Sequence, residues 1–149
     1  MIRKAKLHDV PRIKKLLGFY SSRGLLLDRP LAKIHQGLRD FFVAENDSEL
    51  LGCCSLHLCW DNLGEIRSLA VKEENKGTGI GKALVEACLK EAKELELKKV
   101  FTLTYVPDFF KKLGFEEVDK KELPQTVWAE CVNCVKFPDC DENALIIEL

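Results

Sequence analysis

The chain has 149 residues, 46% hydrophobic and 32% charged, with 23 basic against 24 acidic side chains and a formal net charge of −1. That length is expected to hold one domain with a sizeable core rather than two catalytic units. The near-even charge supplies no global field for nucleic acid or an anionic membrane, and no apolar run approaches the ~20 residues of a spanning helix. Met1-Ile2-Arg3-Lys4 lacks the apolar stretch of a signal peptide, so a cytoplasmic location is the expectation. In that compartment the 7 cysteines read as reduced thiols or metal ligands.

Ile2 to Ala5 reads as a first strand. Asp9 suits a helix N-cap with Pro11 in the first turn, and Ile13, Leu16, Leu17 and Tyr20 then share one helical face. Ser21-Ser22-Arg23-Gly24 interrupts that helix, and a second begins near Pro30 with Leu31, Ile34 and Leu38 aligned. Three strand-like runs follow, Phe41 to Glu45, Leu50 to Trp60 and Glu65 to Val71. The polar turns Asn46-Asp47-Ser48 and Asp61-Asn62 separate them. From Gly79 the period becomes helical, with Leu84, Val85, Cys88, Leu89 and Ala92 on one side. Val100 to Thr104 is again strand-like, and Pro107 to Leu113 predicts a short helix stopped by Gly114. Phe115 to Val118 and Leu145 to Leu149 read as closing strands. This order predicts a single α/β (α+β) domain, a mixed and mostly antiparallel sheet flanked by helices, with a cysteine-containing segment over about 124–149.

The most informative stretch runs from Val71 to Leu84, where a strand ends, a polar loop follows and Gly77, Gly79 and Gly81 open a helix. Unpaired N–H groups at a helix start favour anions, and glycines let a phosphate approach the backbone closely. Lys76 and Lys82 add positive charge. An ordinary glycine-capped helix is the plainer reading. The Walker pattern does not fit, since Ala83 follows Lys82, and the Rossmann fingerprint needs a different glycine spacing.

Lys76-Gly77-Thr78-Gly79-Ile80-Gly81 resembles the coenzyme A signature of the GNAT N-acetyltransferases, and the preceding strand ends Leu69-Ala70-Val71 as in that family. Downstream, Phe109-Phe110-Lys111-Lys112-Leu113-Gly114-Phe115 resembles the family's second motif. The resemblance implies acetyl-CoA as cofactor, with Leu69, Ala70 and Val71 along the pantetheine arm. It also implies Lys76, Gly77, Thr78, Gly79, Ile80, Gly81 and Lys82 around the pyrophosphate, and Phe109 and Phe110 beside them. Two departures stand out. Lys76 replaces the usual Arg or Gln and loses two-pronged geometry, and Phe110 stands where the family often has the Tyr that protonates the leaving thiolate.

Acetyl transfer needs a neutral amine, so a base helps, and Glu65 on the strand leading to Val71 is the candidate. Strict alternation predicts that Glu65, Arg67, Leu69 and Val71 share one face. Thr104 and Tyr105 end the neighbouring strand and are the candidate donors to the leaving sulfur. A narrower resemblance, carried by Arg23-Gly24-Leu25-Leu26-Leu27-Asp28-Arg29-Pro30, Phe42-Val43-Ala44-Glu45 and Phe101-Thr102-Leu103-Thr104, is to short stand-alone N-acetylglutamate synthases. It implies L-glutamate as acceptor, Arg29 on a substrate carboxylate, Glu65 as base and Thr104 assisting departure, in arginine biosynthesis. Arg23, Arg67 and Lys136 are further substrate-binding candidates, because guanidinium and ammonium groups suit a diacid. Another small amine or peptide as acceptor, and a coenzyme A sensor without turnover, are the alternatives. Monomer and homodimer both stay open.

Cys131-x-x-Cys134 with Cys140 has the short first spacing of a zinc site but supplies three thiols locally. Reduced thiols in a C-terminal hairpin are the alternative.

Overall fold

The computed structural model describes residues 1–124 and 142–149. The predicted meander is present as β2 (Phe41–Asn46), β3 (Glu49–Trp60) and β4 (Leu63–Val71), paired antiparallel in chain order. Its tight turns place Asp47, Ser48 and Asn62 at φ of 51°, 65° and 67°, where short polar side chains are tolerated best. β1 (Ile2–Lys4) extends the sheet beside β2. After β4 the chain crosses through α3 (Ile80–Glu94) to β5 (Lys99–Thr104), which lies parallel to β4. A short helix, α4 (Pro107–Lys111), leads to β6 (Glu116–Val118), and β7 (Asn143–Glu148) pairs antiparallel with both β5 and β6. The seven strands run β1-β2-β3-β4-β5-β7-β6. One parallel pair in an otherwise antiparallel sheet is the mixed architecture expected.

Each face of the sheet has its own core. On one, α3 buries Leu84, Val85, Cys88 and Ala92 against Ala44, Cys54, Leu56, Ile66 and Val100. On the other, α1 (Val10–Ser21) and α2 (Leu31–Gln36) bury Ile13, Leu17, Tyr20 and Ile34 against Phe41, Val43, Cys53 and Ala70. Each fully buried Leu, Ile or Val among these contributes about 1.5–3 kcal/mol. No helix among the described residues is long and apolar enough to cross a membrane.

Two expectations are corrected. Asp9 precedes α1 but makes no side-chain cap to it. Its fully buried carboxylate instead accepts from the Lys6 N–H at 2.8 Å, from Arg3 at 2.8 and 3.0 Å, and from Arg12. Burial disfavours the charge, but the donors from Arg3, Lys6 and Arg12 together outweigh it and hold the carboxyl well below the usual carboxylate range. The second correction concerns alternation along β4. The β3–β4 register shifts between Cys53 and Ser55, and Ser68 on β4 has φ 53°. This bulge adds one residue and inverts every later side chain. Ile66 belongs to the α3 core, and so do Leu69 and Val71, whereas Ala70 packs toward α1. Glu65 and Arg67 therefore face away from Leu69 and Val71.

Cys53, Cys54, Cys59 and Cys88 are present as thiols rather than disulfides. Burial pushes the Cys53 thiol up to about 12, so it stays protonated and inert. Lys136 and the zinc candidates Cys131, Cys134 and Cys140 lie outside the described residues. Among the described residues, the ligand atoms close enough to share a metal are those of His8, Asp9 and Glu45. The guanidiniums of Arg3 and Arg12 already neutralise the two carboxylates there.

Candidate active site

The parallel ladder between β4 and β5 ends at Ile66↔Thr102. Thr102 Oγ1 closes it by donating to the Ile66 carbonyl at 3.0 Å. Beyond that pair the strands separate, and the gap opens into a cavity of about 540 Å³. That volume lies within the usual range of a small-molecule site. Its walls come from the ends of β4 and β5, the glycine turn, α4 and the loop 25–29.

The glycine turn has a division of labour. Gly77 and Gly79 adopt φ of 80° and 89°, and an added Cβ would meet nothing within 4 Å at either. They are required for the left-handed backbone, not for space. Gly81 is the reverse: its φ is ordinary, but a Cβ there would stand 3.3 Å from the Phe109 ring. Gly79 is the N-cap of α3, so the first free N–H groups of a 15-residue helix face this wall. Lys76, Gly77, Gly79, Gly81 and Lys82 line the cavity, as do Leu69, Ala70, Val71, Phe109 and Phe110. Thr78 and Ile80 do not. The Thr78 hydroxyl donates to the Asn75 carbonyl, and Ile80 packs against the α3 core. Phe110 is 2% exposed and stacks edge-on between Phe109 and Phe115 at 5.1 and 5.2 Å.

Glu65, Arg67, Arg29, Thr104 and Tyr105 all line the same cavity. Arg67 Nε donates to Glu65 Oε1 at 2.9 Å, and the Cys59 thiol approaches the same oxygen at 3.7 Å. The Glu65 and Arg67 side chains are 13% and 15% exposed, so the pair is sheltered yet reachable. Thr104 is buried, and its Oγ1 accepts from the Val106 N–H at 3.0 Å. Accepting there leaves its own O–H hydrogen to donate elsewhere. Arg29 is held through its backbone: Lys14 Nζ donates to the Arg29 carbonyl at 2.8 Å and pairs with Asp28 at 3.0 Å. Arg23 is not brought to the cavity wall. Its guanidinium lies 3.7 Å from the Phe19 ring centroid and donates to the Phe19 carbonyl at 2.6 Å.

Residues 37–117 match the family model described as an acetyltransferase (GNAT) domain, more than half of the chain. The chain belongs to the GNAT acetyltransferase family. It is an acetyl-CoA-dependent N-acetyltransferase. It is similar to an uncharacterized N-acetyltransferase of Chlorobaculum tepidum, 39% identical over 97% of this chain and 94% of the relative. An amino-acid acetyltransferase of Mycobacterium tuberculosis is 37% identical over 87% of this chain and 76% of the relative. Among solved structures, a Mycobacterium tuberculosis protein in complex with CoA superposes with a TM-score of 0.85 at 32% identity, covering 100% of this chain and 99% of the other. N-acetylglutamate synthase of Neisseria gonorrhoeae, complexed with coenzyme A and N-acetyl-glutamate, gives 0.88 at 25% identity; the match covers 100% of this chain and 35% of that one.

Sequence reasoning missed three parts of this GNAT site. Tyr20 was legible only as a core residue of α1, yet it also lines the cavity. A buried tyrosine hydroxyl needs a partner, and that requirement was the available signal. Leu25, Leu26 and Leu27 contribute apolar wall, which their run after a glycine did not announce. Glu142 reaches the cavity from the far end of the chain, and no local pattern could have placed it there.

Proposed function

We propose that this acetyltransferase acetylates the α-amino group of a small acidic amino acid, L-glutamate being the best candidate. One observation carries the reading: a single cavity is lined by a glycine turn fit for a diphosphate, a sheltered carboxylate, and the two arginines Arg29 and Arg67. The names of the Mycobacterium and Neisseria relatives support an amino acid as acceptor.

In this reading Gly77, Gly79 and the first turn of α3 receive the coenzyme A diphosphate, with Lys76 and Lys82 balancing its charge. The separated end of β4 accompanies the pantetheine arm. Glu65 takes the proton of the ammonium, directly or through one water, and frees the nitrogen lone pair to add to the thioester carbonyl. Arg67 orients that carboxylate by occupying Oε1. Main-chain N–H groups at the end of β4 meet the developing oxyanion. When the carbon–sulfur bond breaks, the surplus proton on the adding nitrogen passes to the departing thiolate by way of the Thr104 hydroxyl, with Tyr105 as the other donor at that strand end. Phe110 has no proton to give. Arg29 binds a substrate carboxylate with the planar contacts guanidinium makes best.

The test is a thiol-release screen with acetyl-CoA over free amino acids, polyamines and peptides. Rapid release with L-glutamate, and little with polyamines, is expected. Release with polyamines alone would sink the acidic acceptor.

A further inference from the structure

Tyr20 connects two parts of the site that lie in different segments. It sits on α1 at 6% exposure, and its hydroxyl donates to the main-chain carbonyl of Val71. The same peptide group, Val71–Lys72, is held at its other end by the Lys72 N–H, which donates to the Leu51 carbonyl at 2.8 Å. The last peptide of β4 is thus anchored on both sides, five residues beyond the final β4–β5 pair at Ile66. From that anchored peptide the chain turns through Glu73–Asn75 and returns, setting the Lys76 ammonium 4.9 Å from the centroid of the Tyr20 ring. One side chain therefore holds the origin of the loop and its cation.

An ammonium on a four-carbon stem has no preferred direction of its own. The face of an aromatic ring attracts it and reduces the conformations it must surrender when an anion arrives. We propose that Tyr20 is a positioning residue for coenzyme A. It orients the Val71 peptide at the pantetheine end and holds the Lys76 ammonium ready for the diphosphate. The proposal rests on the reading of this cavity as the coenzyme A site.

The two contacts separate experimentally, because pantetheine lacks the diphosphate. Calorimetric affinities for coenzyme A and pantetheine are measured with the wild type, Tyr20→Phe, Tyr20→Leu, Lys76→Met and the Tyr20/Lys76 double variants. Tyr20→Phe keeps the ring and loses the bond to Val71, so both ligands weaken by a similar factor, about 2- to 12-fold. Tyr20→Leu weakens coenzyme A by a further factor of about 2 to 30 and leaves pantetheine at the Tyr20→Phe level. In the Lys76→Met background the difference between Tyr20→Phe and Tyr20→Leu disappears. Equal coenzyme A affinity of folded Tyr20→Phe and Tyr20→Leu overturns the proposal, as does a difference that persists without Lys76. Should Tyr20→Leu not fold, a trifluorinated phenylalanine at position 20 keeps the shape and weakens the ring's negative face, and the same comparison decides. A wild type that binds no coenzyme A overturns the underlying reading together with the proposal, and an unaltered wild type distinguishes that failure from one at Tyr20 alone.

Discussion

Arg67 Nε lies 2.9 Å from Glu65 Oε1, and the bulge at Ser68 turns this pair to the opposite face of the sheet from Leu69 and Val71. The proposed base and the cation that orients it are therefore set apart from the strand end proposed for the pantetheine. Glu65→Gln should lower turnover by roughly 10²–10⁴-fold with coenzyme A affinity retained. The deficit should shrink at high pH, where more of the amine is already neutral. Arg67→Lys should recover part of what Arg67→Met loses, because an ammonium restores charge without the planar contact. Steady-state rates across pH check all three variants, and a Glu65→Gln protein as fast as wild type at neutral pH would remove the base assignment.

Gly79 distinguishes backbone conformation from charge. With φ at 89° and open space around it, Gly79→Ala should cost about 1–2 kcal/mol of local strain and weaken coenzyme A modestly. Gly79→Asp carries no more strain than alanine, because a short polar side chain tolerates this backbone better, and it adds an anion beside the phosphates. It should therefore bind coenzyme A much more weakly than Gly79→Ala. Calorimetry on the two folded variants is the measurement. Equal affinities would mean that phosphate does not approach this turn.

Arg29 should govern the acceptor rather than the cofactor. Arg29→Ala is expected to raise KM for L-glutamate by roughly 10- to 150-fold, the loss of one charge-assisted hydrogen bond, and to leave that for acetyl-CoA nearly unchanged. Lys14→Met, which releases the Arg29 carbonyl at one remove, should shift the same constant by less. A change in the acetyl-CoA constant alone would assign Arg29 elsewhere.

Thr104 has a structural duty and a proposed chemical one. Its Oγ1 satisfies the Val106 N–H at the turn into α4, so Thr104→Val should cost about 1–3 kcal/mol in stability as well as slowing turnover. Thr104→Ser keeps the hydroxyl and should restore most of both. If Thr104→Val melts lower but turns over at the wild-type rate, the hydroxyl serves the turn and Tyr105 becomes the donor to test.

Asp9 makes the fold acid-sensitive. Its native carboxyl is held below the ordinary value near ~3.9, so the unfolded chain binds that proton more readily. The stabilisation is complete above about pH 4 and is lost as pH falls below it. Asp9→Asn leaves Arg3 and Arg12 paired with Glu45 and should cost about 1–3 kcal/mol at neutral pH. It should also flatten the fall in melting temperature between about pH 4 and pH 2. An unchanged slope would place the acid sensitivity on other carboxylates.

The secondary-structure elements were legible in the chain because the signals for them are local. Alternation marked the meander, the 3.6-residue period marked α1 and α3, and glycines marked the turn at Gly77–Gly81 and the stop at Gly114. The order of those elements was enough to expect the mixed sheet, and two short motifs pointed to the family. Whatever depends on neighbours distant in sequence was settled by packing. The bulge at Ser68 is a mismatch between two paired strands, so reading β4 alone predicts the wrong face for everything after it. Asp9 has the composition of a cap, yet two guanidiniums from different segments offered its buried carboxylate stronger partners than the helix start did. Tyr20 looked like core because its ring is core; only packing α1 on the end of β4 brought its hydroxyl to Val71 and its ring to Lys76. Arg23 and Arg29 lie six residues apart in one loop, and the loop's path sends the Arg23 guanidinium onto Phe19 and puts Arg29 among the residues of the cavity wall. Periodicity is a property of a segment, whereas the orientation of a charged side chain is set by whichever partners the assembled fold supplies.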